Sequence, residues 1–109
     1  MLCESPDHLY YGVDLDRLLV ASCTVTIVPN LTRGARPYGV IENVVTHADY
    51  RRRGLGRIVV LRALVEQSWS RGCYKVMLMS GAGRQEIHSF YESLGFDRDA
   101  KQALVIRPE

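Results

Sequence analysis

The chain has 109 residues, of which 47% are hydrophobic and 24% charged, and a formal net charge of +2 at pH 7. This length fits one domain over residues 1–109 with a modest core. The small net charge argues against a nucleic-acid-binding protein, which usually carries a strongly basic face. No run approaches the ~18 apolar residues of a membrane span, and the N-terminus lacks the pattern of a signal peptide.

The three cysteines, Cys3, Cys23 and Cys73, are widely separated and match no zinc or disulfide spacing. Free thiols are typical of a reducing compartment. We therefore expect a cytoplasmic protein with no membrane partner, no nucleic-acid partner and no metal site.

The first third of the chain predicts antiparallel strands. Leu9–Val13 is short and aromatic, and Gly12 with the aspartates around it is typical of a hairpin turn. Leu18–Val28 is rich in β-branched residues and predicts a second strand. Residues 29–37 have the composition of a loop. Tyr38–Thr46 is mostly apolar, which predicts a central strand buried on both faces.

The middle of the chain predicts a parallel crossover. Leu55–Arg71 has helical periodicity, and Gly72 stands where a C-cap glycine belongs. Cys73–Met79 follows as a buried strand, so that strand, helix and strand form one β-α-β unit. The predicted apolar face of the helix consists of Leu55, Ile58, Leu61, Val65 and Trp69.

The last third predicts a helix over Gln85–Leu94, ended by Gly95, and a closing strand over Ala103–Arg107. The predicted fold class is α/β (or α+β), with a mixed sheet. Antiparallel N-terminal strands precede the parallel β-α-β unit.

The segment between the Tyr38–Thr46 strand and the following helix predicts an anion site. Arg51, Gly54 and Gly56 form the pattern R-x-x-G-x-G. Glycines let a backbone approach a phosphate closely, and the N–H groups of a helix start attract negative charge. The pattern is neither a dinucleotide fingerprint, since Val59 stands where a third glycine is needed, nor a P-loop.

A second motif lies in the last helix, where Phe90, Tyr91 and the ending Leu94-Gly95-Phe96 fit F-Y-x-x-L-G-F. Together the two motifs, in this order, resemble the GNAT superfamily of N-acetyltransferases over about Leu9 to the C-terminus. The strand Ile41–Thr46 looks most like that of small-molecule acetyltransferases, including the glucosamine-6-phosphate type. The resemblance implies an acyl-CoA N-acyltransferase-like fold.

The resemblance also implies acetyl-CoA as the acyl donor and a primary amine that attacks its thioester directly in a ternary complex. Backbone groups of Val44 and Thr46 would pair with the pantetheine amides, and an N–H near Val44 or Val45 would stabilise the oxyanion. The pyrophosphate would bind the loop N–H groups. The implied cofactor-binding residues are Val44, Val45, Thr46, Arg51, Arg52, Arg53, Gly54, Leu55, Gly56 and Arg57.

The implied catalytic residues are Tyr91, as general acid to the leaving thiolate, and Glu42, as base. Tyr91 also lies on the apolar stripe of its helix, where packing alone would explain it. Glu42 stands on a strand predicted to be buried, where a carboxylate is costly without a partner. It could instead bind a substrate hydroxyl or pair with an arginine. His47 is expected at the surface and Cys73 in the packing.

Two departures from the family pattern bear on partners. The family's opening strand and helices, which form one wall of the acceptor site, have no counterpart before Leu9. We therefore expect a homodimer through the uncovered sheet edge. The alternative function is a non-catalytic acyl-CoA-binding module. Arg84 replaces an asparagine that contacts pantetheine, and Arg33 and Arg36 would suit an anionic acceptor.

Overall fold

A computed structural model describes residues 7–80 and 85–108. The predictions that concern Cys3 and Arg84 lie outside these residues. The chain divides into two compact units, Met1–Leu78 and Met79–Glu109. The single domain expected over residues 1–109 stays a prediction.

The first unit holds a four-stranded mixed sheet in the order β1-β2-β3-β4. Its strands are β1 (His8–Leu15), β2 (Leu18–Val28), β3 (Tyr38–Thr46) and β4 (Val76–Leu78). The first two pairings are antiparallel and the third is parallel. The predicted strand directions and the mixed α/β class are therefore confirmed.

The turn of the β1–β2 hairpin lies later in the chain than the predicted turn at Gly12. Leu15 pairs with Leu18, and the two residues between them, Asp16 and Arg17, have φ values of 51° and 67°. Two positive φ values match the two-residue turns whose twist suits a hairpin. Gly12 instead lies within β1, opposite Ser22. The prediction of a turn at Gly12 was wrong, because Gly12 lies within the paired part of β1.

Helix α1 (Leu55–Arg62) continues directly into a π-helical segment, Ala63–Trp69. A π-helix has an i→i+5 repeat, so Ala63 and Ser68 lie on one face. Both are buried, and the Ser68 hydroxyl donates to the Ala63 carbonyl at 3.3 Å. Gly72 ends the helix with φ 77°, confirming the predicted cap.

The helix packs a different face on the sheet from the one predicted. Trp69 is 49% exposed, and Ile58 and Val65 are also exposed. The predicted face was therefore wrong, because the buried side chains of the helix are Val59, Val60, Ala63, Leu64 and Ser68. The core of this unit consists chiefly of the buried side chains Val20, Cys23, Val25, Ile41, Val59, Val60, Ala63 and Leu64.

The second unit holds helix α2 (Gln85–Ser93). The N–H groups of Gly95 and Phe96 donate to the carbonyls of Glu92 and Tyr91, and Gly95 has φ 103°. These bonds are those of a Schellman cap, so the predicted ending at Gly95 is confirmed. Arg98 pairs with Glu92 at 2.5 Å, and this hydrogen bond lowers the pKa of the Glu92 carboxyl below its usual range.

The closing strand predicted over Ala103–Arg107 is absent: residues 101–108 have no regular secondary structure. Leu104 and Ile106 are 88% and 96% exposed. A strand needs a neighbour for its hydrogen-bond ladder, and β-propensity by itself does not supply one. The described part of the second unit contains no strand that could be this neighbour. Within the described residues, no helix is long and apolar enough to cross a bilayer.

Gly39 sets the distance between β3 and the π-helical segment. A Cβ atom at this position would lie 3.0 Å from the Ser68 Oγ and 3.3 Å from a Val76 methyl group. We expect Gly39→Ala to lower the free energy of unfolding by about 1–3 kcal/mol through overpacking. Urea unfolding followed by circular dichroism measures the change. In a Ser68→Ala background, Gly39→Ala should lower the free energy of unfolding by less. An equal loss in both backgrounds would contradict the proposed clash.

Candidate active site

The central feature of the first unit is that β3 extends beyond the stretch that pairs with β4. The parallel register runs Gly39–Val76, Val40–Met77 and Ile41–Leu78. Beyond Ile41, β3 continues to Thr46 with β2 as its neighbour. Among the residues that the structure describes, none of β4 pairs with this half of β3. Backbone groups along a strand edge of this kind can accept an extended ligand as an added strand.

A β-bulge lies in this half of β3. Ser22 pairs with Val45 and Thr24 with Glu42, so that Asn43 and Val44 together lie opposite Cys23. Asn43 has a φ of 55°, a conformation that asparagine tolerates better than most residues. A bulge changes the direction of the side chains and backbone groups beside it. Asn43 was not singled out by the sequence analysis, although an asparagine inside a mostly apolar strand could have indicated an irregular backbone there.

The predicted residues on β3 differ in exposure. Glu42 and Val45 are exposed, with Val45 57% exposed, whereas Val44 and Thr46 are half-buried. The expectation of two-sided burial was therefore wrong for this half of the strand. Glu42 needs no partner to offset burial, because its carboxylate faces solvent.

The loop after β3 folds back on the strand end. Its first residue, His47, donates its N–H to the Val20 carbonyl at 2.7 Å, and its Nδ1 accepts from the Asp49 N–H at 3.2 Å. The imidazole therefore caps the short 3₁₀ turn Ala48–Tyr50. Further along, Arg51 Nε donates to the Thr46 carbonyl at 3.4 Å. These contacts fix the loop on β2 and β3.

The basic part of the loop leads into helix α1 with its charges in solvent. Arg52 and Gly54 have φ values of 66° and 76°, and the Ile58 N–H donates to the Gly54 carbonyl at 3.1 Å. The N–H groups of the first turn have no acceptor within a helix, so they can bind an anion. Arg51, Arg52, Arg53 and Arg57 are all exposed. The Arg53 guanidinium lies 5.0 Å from the centre of the Tyr50 ring.

Arg33 and Arg36 lie elsewhere in this unit. Both precede β3, whereas the basic loop follows it, so they lie near the opposite end of that strand. Arg36 donates to the carbonyls of Gly72 and Cys73 at 3.0 and 3.4 Å, and Arg33 lies 5.6 Å from the Tyr74 ring. The expectation that these arginines would suit an anionic acceptor stays a prediction; in the structure both contact residues at the end of the crossover.

The two described cysteines are packing residues. Burial raises the pKa of the Cys23 thiol to about 11, and burial also raises the pKa of Cys73. The Cys23 Sγ contacts the Val59 carbonyl at 3.5 Å. A thiol nucleophile needs a lowered pKa, so neither cysteine is suited to attack a substrate. The prediction for Cys73 agrees with this placement.

A profile of the Acetyltransferase (GNAT) family matches residues 1–96. The chain belongs to this family. It is 43% identical over 84 residues to the glucosamine 6-phosphate N-acetyltransferase of Trypanosoma brucei brucei, a match covering 77% of the chain and 54% of that protein. The chain spans about half the length of most of the curated relatives it matches.

Solved structures give the same assignment. The chain is similar to a Trypanosoma brucei acetyltransferase, with 35% identity and a TM-score of 0.78 over 93% of the chain and 70% of that structure. It is also similar to glucosamine-6-phosphate N-acetyltransferase from Arabidopsis thaliana, with 29% identity and a TM-score of 0.80 over 92% of the chain and 67% of that structure. The predicted family and the acyltransferase fold are confirmed.

The GNAT family uses acetyl-CoA as its acyl donor. The first unit fits such a donor in two respects: it has an open stretch of strand edge and a basic loop at a helix N-terminus. Within residues 7–80 and 85–108, no group of His, Cys, Asp or Glu side chains could hold a metal ion.

Tyr91, the predicted general acid, lies in the second unit and is half-buried. Its ring makes edge-to-face contacts with Phe90 and Phe96, at centroid distances of 5.2 and 5.9 Å. The structure therefore brings together the aromatic residues of the F-Y-x-x-L-G-F motif around the helix end. The catalytic role of Tyr91 stays a prediction.

Proposed function

We propose that the chain transfers an acetyl group from acetyl-CoA to a primary amine by direct attack on the thioester. The observation that carries this proposal is the extension of β3 beyond its ladder with β4, which ends at Ile41, followed by the basic loop and helix α1. No observation on the fold or the relatives favours a non-catalytic acyl-CoA-binding module.

In the proposed complex, the donor lies along β3 and the loop. The backbone of Val44 and Thr46 pairs with the pantetheine amides, as an added strand would. The pyrophosphate binds N–H groups from Arg52 to Arg57, where the helix dipole and the exposed guanidinium groups supply positive charge.

The proposed chemistry uses groups beside the bulge. When the amine nitrogen attacks the thioester carbonyl, the oxygen becomes negative, and an N–H of Val44 or Val45 stabilises it. Glu42 precedes the bulge with an exposed carboxylate and takes the proton that the attacking amine loses. The C–S bond then breaks, and Tyr91 protonates the thiolate; we assign this last role from the family motif alone.

We further propose glucosamine 6-phosphate as the acceptor. The support is the similarity, at 38–43% identity, to glucosamine 6-phosphate N-acetyltransferases of other organisms. Purified protein given acetyl-CoA and an amine panel should release free CoA thiol fastest with glucosamine 6-phosphate, and more slowly with glucosamine, which lacks the phosphate. A thiol-reactive chromophore measures the release. If none of the amines in the panel caused thiol release, the proposed function would be contradicted.

Tyr91→Phe tests the proposed proton donor. We expect kcat to fall about 10²-fold, in the range for a lost general acid. The dissociation constant for acetyl-CoA, measured by calorimetry, should change little. Tyr74→Phe, which removes a phenol hydroxyl ahead of β4, is the matched control and should keep its kcat. Full activity in Tyr91→Phe would show that another group protonates the thiolate.

We also propose that the chain forms a homodimer through the outer edge of β1. This strand ends the sheet order, and the hairpin it forms exposes Tyr10 and Leu19 at 45% and 55%. An exposed strand edge is a template for pairing with another chain.

Sedimentation should therefore give a dimer at micromolar concentration. Tyr10→Glu should shift it toward monomer, because a charge on β1 disfavours edge pairing. Leu31→Glu, at a loop position 98% exposed, is the control and should leave the dimer intact. A monomeric wild-type protein would contradict the proposal.

A further inference from the structure

Thr24 combines deep burial with a polar contact to the strand opposite. It lies on β2 and is 3% exposed, among otherwise apolar core residues. Its hydroxyl donates to the backbone carbonyl of Glu42 at 3.1 Å. A buried hydroxyl needs a partner, and this partner is a main-chain group on the residue that precedes the bulge.

The contact falls where the strand ladder is interrupted. Thr24–Glu42 is the last regular pair before the bulge, in which Asn43 and Val44 lie opposite Cys23. The carbonyl of Glu42 and the N–H of Asn43 belong to one planar peptide. A hydrogen bond to that carbonyl therefore restrains the orientation of the peptide that precedes Asn43, a residue with a left-handed backbone conformation. The direction of the next N–H, on Val44, depends on this restraint.

We infer that Thr24 is a positioning residue, which holds the β3 bulge so that the N–H of Val44 or Val45 is aimed at the thioester oxygen. This inference rests on the proposed function. The geometry also explains why position 24 carries a hydroxyl inside the core. An N–H group stabilises the oxyanion best when its direction is fixed before the reaction. A donor that must first reorient stabilises the transition state less.

Cys23, the neighbour of Thr24, connects the same part of β2 to helix α1. Its Sγ contacts the Val59 carbonyl on helix α1, whose first turn follows the basic loop. Adjacent residues of one strand therefore contact the bulge and the helix. Since both lie in the first unit, β2 holds the proposed oxyanion donor and the proposed pyrophosphate site in a fixed relation.

Thr24→Val, which keeps the shape and removes the hydroxyl, tests the inference. We expect kcat to fall about tenfold, less than the ~10²–10³-fold lost with a whole oxyanion donor. KM and the dissociation constant for acetyl-CoA should stay near wild type. Thr24→Ser keeps the hydroxyl and should restore most of kcat. The control is Thr26→Val: the Thr26 hydroxyl contacts His8 Nδ1 at 2.6 Å, away from the bulge.

Amide hydrogen exchange gives a readout that needs no activity. The amides of Asn43 and Val44 should exchange faster in Thr24→Val than in Thr26→Val, because only the first variant releases the Glu42 peptide. Unchanged exchange at these amides would overturn the inference, and so would full kcat in Thr24→Val or an equal loss in Thr26→Val. A wild-type protein without turnover would refute the proposed function, and the exchange data would then decide separately whether Thr24 holds the bulge.

Discussion

The arrangement of the first unit depends on the place where β3 stops pairing with β4. Up to Ile41 and Leu78 the two strands share a parallel ladder. Beyond it, β2 is the strand that pairs with β3, and among the described strands none pairs with its other edge. A ladder that continued to Thr46 would satisfy these backbone groups within the sheet. The same strand would then lead into the basic loop without any place for the pantetheine of a donor.

Several contacts that hold this half of β3 come from β2, and β2 in turn contacts helix α1. The His47 N–H bonds to the Val20 carbonyl, the Thr24 hydroxyl to Glu42, and the Cys23 thiol contacts Val59. These contacts join the strand end, the bulge and the helix within one buried layer. The exposed residues of the loop can therefore be charged and polar, since the fold does not depend on them.

Local patterns in the sequence were sufficient for most elements of the first unit. The bounds of β2 and β3, the start of α1 and the caps at Gly72 and Gly95 agree with the structure. Each rests on neighbours within a few residues, such as β-branched runs or a glycine that accepts a positive φ. Predictions that needed a distant partner were less accurate. The strand over Ala103–Arg107 and the apolar face through Trp69 were wrong, because a ladder neighbour and packing against distant strands decide them.

The sequence by itself determined the family, through two short motifs. From motif position it also predicts an anion-binding segment and roles for Glu42, Val44 and the loop arginines. Only the tertiary structure decided that Glu42 is exposed, that Asn43 forms a bulge, that Thr24 bonds the residue before it, and that Arg36 contacts the end of the crossover. The physical reason is that strand register and the length of a ladder depend on contacts between residues far apart in the chain, which no local pattern records.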